Sequence, residues 1–238
     1  MRIAIIGGHG KSGRSVAAAL AECAVPSVSL GRADWEHLPR ALRDCTAAYL
    51  IAPNLHPDEP AYVRTALDAI RAAGIPRVVY HSVASPYAPA MPHHLGKAAG
   101  EDLVRRSALQ WTILQPGAYL QNLDLTEAVR VPYAVDRMFG FLDLRDLGRA
   151  AATVLIEPGH SGATYELATL QASVADLAAE AGVTAERDRD RARGQGDTLG
   201  EREQAWLSAM FDYYDRYGLP VGVGPLRSLL GVGYTLFR

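Results

Sequence analysis

Lysine is nearly absent. Of the 24 basic side chains in 238 residues only Lys11 and Lys97 are lysines, and the other 22 are arginines. Against 26 acids the formal charge is −2 and the pI near 6.4, which argues against a nucleic-acid partner and leaves only a local basic patch open. Cysteine is as scarce: Cys23 and Cys45 are too few for a disulfide framework and lack metal-ligand spacing. They are expected as small buried hydrophobes in a reducing compartment, with no metal site. No apolar run is long enough to span a bilayer, and the chain opens directly on Met1-Arg2-Ile3-Ala4-Ile5-Ile6 without a signal-peptide pattern. A cytoplasmic protein with no membrane partner is the expectation. Internal repeats and low-complexity tracts are missing too, and 49% hydrophobic with 21% charged residues excludes wholesale disorder.

What is present is an alternation of two periods. Runs of strand length at Ile3–Ile6, Ser27–Leu30, 47–51, Arg77–His81 and 112–114 are bounded by Gly, Pro or Asn. Between them 12–22, 60–73 and 96–107 carry apolar residues at helical spacing. Such β-α alternation predicts an α/β fold: a parallel, doubly wound sheet with helices on both faces. The stretch between Val28 and Ala47 is short, with a helix-like segment at 38–43, so the crossover there has no room for a further strand. Later, 115–122 reads as loop, 139–144 and 164–167 as strands extending the sheet, and 147–156 as a helix. The run 185–193, acids and arginines interspersed, reads as a solvated helix end and loop. Glu201–Tyr217 reads as a helix followed by Gly-rich turns.

Directly after the first strand comes Gly7-Gly8-His9-Gly10-Lys11-Ser12-Gly13, opening into a helix. Gly7 permits the tight turn, Gly10 lets backbone approach a pyrophosphate, and Gly13 lets the helix pack closely, with the anion on the free amides of the helix N-terminus. The end of the second strand decides the cofactor: an acid there holds a ribose diol, an arginine accepts a 2'-phosphate. Arg32, with His9 and Lys11, favours NADP, while Asp34 two residues on keeps NAD as the less favoured alternative.

Several separated pieces then resemble one family. They are the glycine loop; Val78-Val79-Tyr80-His81-Ser82-Val83-Ala84-Ser85; His93-His94-Leu95-Gly96-Lys97 with Glu101; Trp111 through Asn122; Phe141-Leu142-Asp143-Leu144-Arg145-Asp146-Leu147; and Gly162 through Leu167. In order and spacing they resemble the NmrA-like, atypical members of the short-chain dehydrogenase/reductase superfamily. The resemblance implies a Rossmann domain over residues 1–168 and a smaller, mostly helical substrate-capping region over 169–238, with 119–139 contributing to the cleft. It implies a cofactor set of Gly7, His9, Gly10, Lys11, Ser12, Gly13, Arg32, Ala52, Pro53, His81, Ser82, Val83, Lys97, Pro116, Gly117, Ala118 and Tyr119. His94, Tyr119 and Asn122 would line the substrate pocket.

One departure matters. The superfamily's YxxxK pair reads His93 and Lys97 here, so the tyrosine is missing. Four residues apart, the two share a helix face. Lys97, a compact three-donor cation, suits the nicotinamide ribose hydroxyls, against the alternative of a surface ion pair with Glu101. His93 is either a general acid or a helix-capping or pocket residue. Ser82 and Ser85 would orient a substrate carbonyl or only bond within a turn. The aromatics Trp206, Phe211, Tyr213, Tyr214 and Tyr217 make a core or subunit face, or cap the cleft and favour a flat or aromatic small-molecule substrate. The expected function is an NADPH-dependent reductase of a small carbonyl, quinone or conjugated acceptor, as a monomer or homodimer. A non-catalytic NADP(H)-sensing regulator and a non-redox enzyme on the same fold are the alternatives.

Overall fold

The computed structural model describes residues 1–189 and 199–231. Its strands are β1 (Ile3–Ile6), β2 (Ser27–Leu30), β3 (Ala47–Leu50), β4 (Arg77–His81), β5 (Gln110–Pro116), β6 (Ala118–Tyr119), β7 (Val129–Val131), β8 (Phe139–Leu142), β9 (Ala163–Leu167), β10 (Leu170–Ala172) and β11 (Ala185–Arg187). Its α-helices are α1 (Lys11–Glu22), α2 (Leu38–Ala41), α3 (Glu59–Ala72), α4 (Pro92–Arg105), α5 (Leu144–Ile156), α6 (Val174–Glu180), α7 (Glu201–Tyr217) and α8 (Gly224–Leu229).

Six strands form one parallel sheet in the order β2-β1-β3-β4-β5-β9. Alternate residues of a strand serve opposite faces. Ile3, Ile5, Tyr49, Val79 and Leu114 pack on α1 and α5 on one side, while Ala4, Ile6, Leu50, Val78, Tyr80 and Ile113 pack on α2, α3 and α4 on the other. Both faces are therefore covered and the sheet is doubly wound, as the β-α alternation predicts. The shortened crossover is also present. After Gly31 a 3-10 turn, Arg32–His37, leads into the four residues of α2 and the chain returns as β3 beside β1, leaving β2 at the edge. The strand order reverses at β1, and the crevice at the carboxyl ends of β1 and β3 is where such sheets bind ligands.

Three readings of the later chain are corrected. Phe139–Leu142 does not extend the main sheet: the edge beyond β5 is taken by β9, so β8 pairs instead with β10 and β6 in a separate three-stranded sheet. The segment 115–122 is not wholly loop, because β5 runs on to Pro116 and Ala118–Tyr119 forms β6. In the run 185–193 the first three residues form β11, parallel to β7, and Arg187 pairs with Asp215; residues 190–193 lie outside the described residues. Cys45 is buried as expected, whereas Cys23, just past the end of α1, is exposed.

A third apolar cluster closes over the carboxyl edge of the sheet from residues on both sides of position 168. Ala84, Ala88 and Met91 meet Phe139, Phe141, Leu177, Tyr214 and Leu219 there. Phe211, Met210 and Tyr213 of α7 pack against it, while Tyr217 is 61% exposed and Trp206 stacks under Arg202. Among the described residues no helix is long and apolar enough to cross a membrane.

Candidate functional site

A parallel sheet delivers all its strand ends to one edge, and the ends of β1 to β5 with the segments that follow them, the start of α1 and β6 included, carry every cofactor residue expected from the sequence except Lys97, which α4 supplies. The glycine loop is shaped by close approach. Gly7 has φ +83°, and a Cβ on it would lie 2.6 Å from the Ile51 carbonyl oxygen. A Cβ on Gly13 would meet Gly8 Cα at 2.5 Å, so α1 packs directly on the loop. Gly10 differs: the nearest protein atom to its added Cβ is 3.7 Å away, and no side chain caps the helix that it begins. With no acid in the first turn either, the first amides of α1 have no side-chain acceptor among the described residues. This is the geometry that a pyrophosphate needs.

His9 lies over Gly31, where a Cβ would touch its ring at 2.6 Å, and exposed Arg32 begins the next turn. Asp34, the residue that kept NAD in play, accepts the Gly31 N–H at 2.8 Å and so closes that turn. Ala52 is buried and Pro53 exposed just after β3. On the far side the 115–122 segment folds back on the glycine loop. Lys11 donates to Asn122 Oδ1, and its ammonium stands 5.2 Å from the centre of the Tyr119 ring. Ser12 Oγ lies 3.2 Å from the Tyr119 hydroxyl, and that hydroxyl is 2.9 Å from His81 Nε2. Nδ1 of the same imidazole is 2.7 Å from the Tyr49 hydroxyl. Burial, and then the Lys97 charge, push His81 down to about 3, while burial raises Tyr119 to about 12.

The helix carrying His93 begins earlier than its periodicity suggests, at Pro92 after Met91, so both histidines are inside its first turn and neither caps it. Lys97 is 5% exposed and does not pair with Glu101. Its ammonium bonds Glu59 Oε1 at 2.8 Å and the His81 carbonyl at 3.2 Å, with the Tyr80 ring 5.6 Å away. Glu101 is instead a hub for Ser82 Oγ (2.5 Å), Gln115 (2.7 Å) and Arg105 (3.2 Å). The Ser82 hydroxyl is thus committed to the interior, 2% exposed. Ser85 has φ +52°, and its carbonyl accepts from His94 Nδ1 at 3.2 Å, which leaves Nε2 facing the Tyr214 hydroxyl at 3.5 Å. Burial, with the charges of Lys97 and His94, pushes His93 down to about 3. It is neutral at pH 7. The segment after β4 is tied to the end of β5, Ala84 N–H donating to Pro116 O at 2.9 Å.

Among the described residues no group of three or more His, Cys, Asp or Glu could hold a metal. The family model for NAD(P)H-binding proteins matches residues 14–158, more than half of the chain. The chain belongs to the NAD(P)H-binding family. An NAD(P)H azoreductase of Xenophilus azovorans is 28% identical over 215 residues, 78% of this chain and 74% of that one. Two solved structures share the fold. An NADPH-dependent quinone oxidoreductase from Escherichia coli, complexed with NADPH, has a TM-score of 0.78 at 22% identity over 96% of this chain and 94% of its own. The Citrobacter sp. triphenylmethane reductase complexed with NADP(H) gives 0.77 at 20% over 99% and 97%. A mutant NmrA structure shares the fold as well, with a TM-score of 0.76 at 18% identity over 97% of this chain and 91% of its own. Family and relative together support an NAD(P)H-dependent oxidoreductase.

The family match begins at Arg14, past the glycine loop, so that loop rests on its own geometry. Three site residues escaped the sequence reading. Glu59 opens α3 and its carboxylate is 2% exposed, accepting from Tyr80 at 2.6 Å as well as from Lys97. Tyr80 and Tyr49 read only as strand residues. Their signal is weak but real: a phenol at a fully buried strand position needs a polar partner, and none is available within the strand.

Proposed function

We propose that this NAD(P)H-binding protein is an NADPH-dependent reductase that passes hydride to a small, flat acceptor: a quinone, a carbonyl or another conjugated compound. The observation that carries the reading is the convergence at one sheet edge of the open α1 N-terminus, the Arg32 turn and the polar Ser12–Tyr119–His81 chain. The α1 amides would take the pyrophosphate, and Arg32 with His9 the 2'-phosphate. Lys97, held by Glu59 and the His81 carbonyl, would turn its remaining donor to the nicotinamide ribose. When bound, the dinucleotide supplies the hydride. The third apolar cluster would cap the cleft and suit an aromatic acceptor. The relatives' azo, quinone and triphenylmethane substrates are all conjugated and support that choice.

The test is oxidation of NADPH, followed by absorbance, with menadione, benzaldehyde and methyl red. Turnover with at least one is expected. Tight NADPH binding without turnover would favour the second reading, an NmrA-type NADP(H) sensor, which the replacement of the YxxxK tyrosine by His93 supports. Arg32→Ala is expected to weaken NADP about tenfold, roughly 1.4 kcal/mol, and to leave NAD unchanged. An unchanged NADP/NAD ratio would remove Arg32 from the phosphate site.

A further inference from the structure

The direction of the hydrogen bonds in the Tyr49–His81–Tyr119–Ser12 chain can be worked out. Tyr49 is fully buried, and among the described residues its hydroxyl has one polar neighbour, His81 Nδ1. Were Nδ1 protonated it would donate to that hydroxyl, whose own proton would then sit in an apolar core without an acceptor, an arrangement that folded chains avoid. Tyr49 therefore donates to Nδ1. A neutral imidazole has one N–H, and burial keeps this one neutral, so the proton is on Nε2 and is donated to the Tyr119 oxygen. Ser12 Oγ lies 3.2 Å from the same oxygen and can donate to it or accept from it. With the His81 bond accepted there, the Tyr119 O–H points away from the imidazole, and the one protein acceptor left to it among the described residues is the Ser12 hydroxyl. The Tyr119 O–H sits at the mouth of the glycine loop, on a residue that is only partly buried.

We propose that Tyr119, rather than His93, delivers the proton to the acceptor, and that Tyr49 and His81 are positioning residues that turn its hydroxyl outward. This rests on the reductase reading above. Tyr119 gives its hydroxyl proton to the acceptor oxygen on which the electron pair of the former C=O π bond comes to rest as hydride from the reduced dinucleotide binds at carbon. The Tyr119 phenolate, held by the two bonds from His81 and Ser12, then takes a proton from water. One solvent proton is consumed per turnover. Burial keeps the phenol protonated at neutral pH, as an acid must be. His93, neutral and buried, carries no imidazolium proton to give.

Two measurements test this. Nitrogen-15 NMR of labelled His81 in the whole protein is expected to show the Nε2–H tautomer; an Nδ1–H tautomer overturns the proposal without touching the reductase reading. Tyr119→Phe keeps the ring and loses the proton. It is expected to lower kcat for menadione by roughly 10²-fold or more, to change the NADPH Kd less than about threefold, and to make the residual rate rise as pH falls. Wild-type turnover with an undiminished Tyr119→Phe rate and an unchanged pH profile overturns the proposal alone. No turnover by the wild type with any acceptor overturns both readings together.

Discussion

Tyr80 and His81 are neighbours on β4, so the strand's alternation sends them to opposite faces of the sheet, where they enter two buried polar networks of opposite kind. On the α3–α4 face Tyr80 and Lys97 both donate to Glu59, an ion pair closed off from water, with one carboxylate oxygen lacking a hydrogen-bond partner among the described residues. On the α1–α5 face His81 joins Tyr49, Tyr119 and Ser12 through neutral groups alone. The difference is instructive. Buried charges demand their counter-charges and therefore fix a position, here that of the Lys97 ammonium. Buried neutral groups demand only donors and acceptors, so a choice of proton direction passes along them. The Lys97 bond to the His81 carbonyl ties the two networks together.

The largest expected effect tests whether the buried imidazoles, His81 in the neutral network and His93 and His94 on α4, lie in a dry interior. His81 and His93 lie at about 3 and His94 at about 4, against about 6.5 in the unfolded chain. The folded state binds fewer protons, so this contribution to stability is complete above pH 6.5 and is lost as pH falls from there towards 4 and 3. With three such groups the slope approaches roughly 4 kcal/mol per pH unit near pH 5. Urea unfolding at pH 7.5, 6 and 5 measures it. A flat profile would mean that the imidazoles are hydrated, and the contrast between the networks would fall.

Next comes the charged side. Lys97→Met leaves the Glu59 carboxylate buried without its cation and is expected to cost about 3–5 kcal/mol in urea or thermal unfolding. The double variant with Glu59→Gln should recover most of that, since it removes both charges and keeps an acceptor for Tyr80. Equal losses in the single and double variants would show that packing of the lysine stem, not charge, is what matters.

These networks also mark where the sequence was legible. The sheet and the glycine loop were, because β-branched runs and a Gly-rich turn are local signals: four of the six strands of the sheet begin at the expected residue, and α7 has the expected bounds. The separate sheet of β8 was not, since strand character says nothing about which edge is free, and β9, later in the chain, takes the edge beside β5. Lys97 stood out by rarity and by its spacing from His93, yet its carboxylate partner was not legible. Glu101 is four residues away on the same helix, which invites pairing, whereas Glu59 comes from another helix that only the fold brings near. His81 and Tyr119 were implied by resemblance, but their contact and the Tyr49 partner were not, because Tyr49 and Tyr119 are 32 and 38 residues distant from His81 in the chain.

The smallest effects discriminate most finely. Tyr80→Phe removes a hydrogen bond to a charged group and is expected to cost about 1.5–3 kcal/mol of stability, with kcat for menadione little changed. Tyr49→Phe removes a neutral bond and is expected to cost only about 0.5–1.5 kcal/mol. Yet it also removes the bond that holds the His81 ring in place beneath the Tyr119 hydroxyl, so kcat should fall although Tyr49 is fully buried. Stability and turnover measured on the two variants thus move in opposite order. If Tyr80→Phe proves the kinetically damaging change and Tyr49→Phe the silent one, the charged network rather than the neutral one sets the reactive proton.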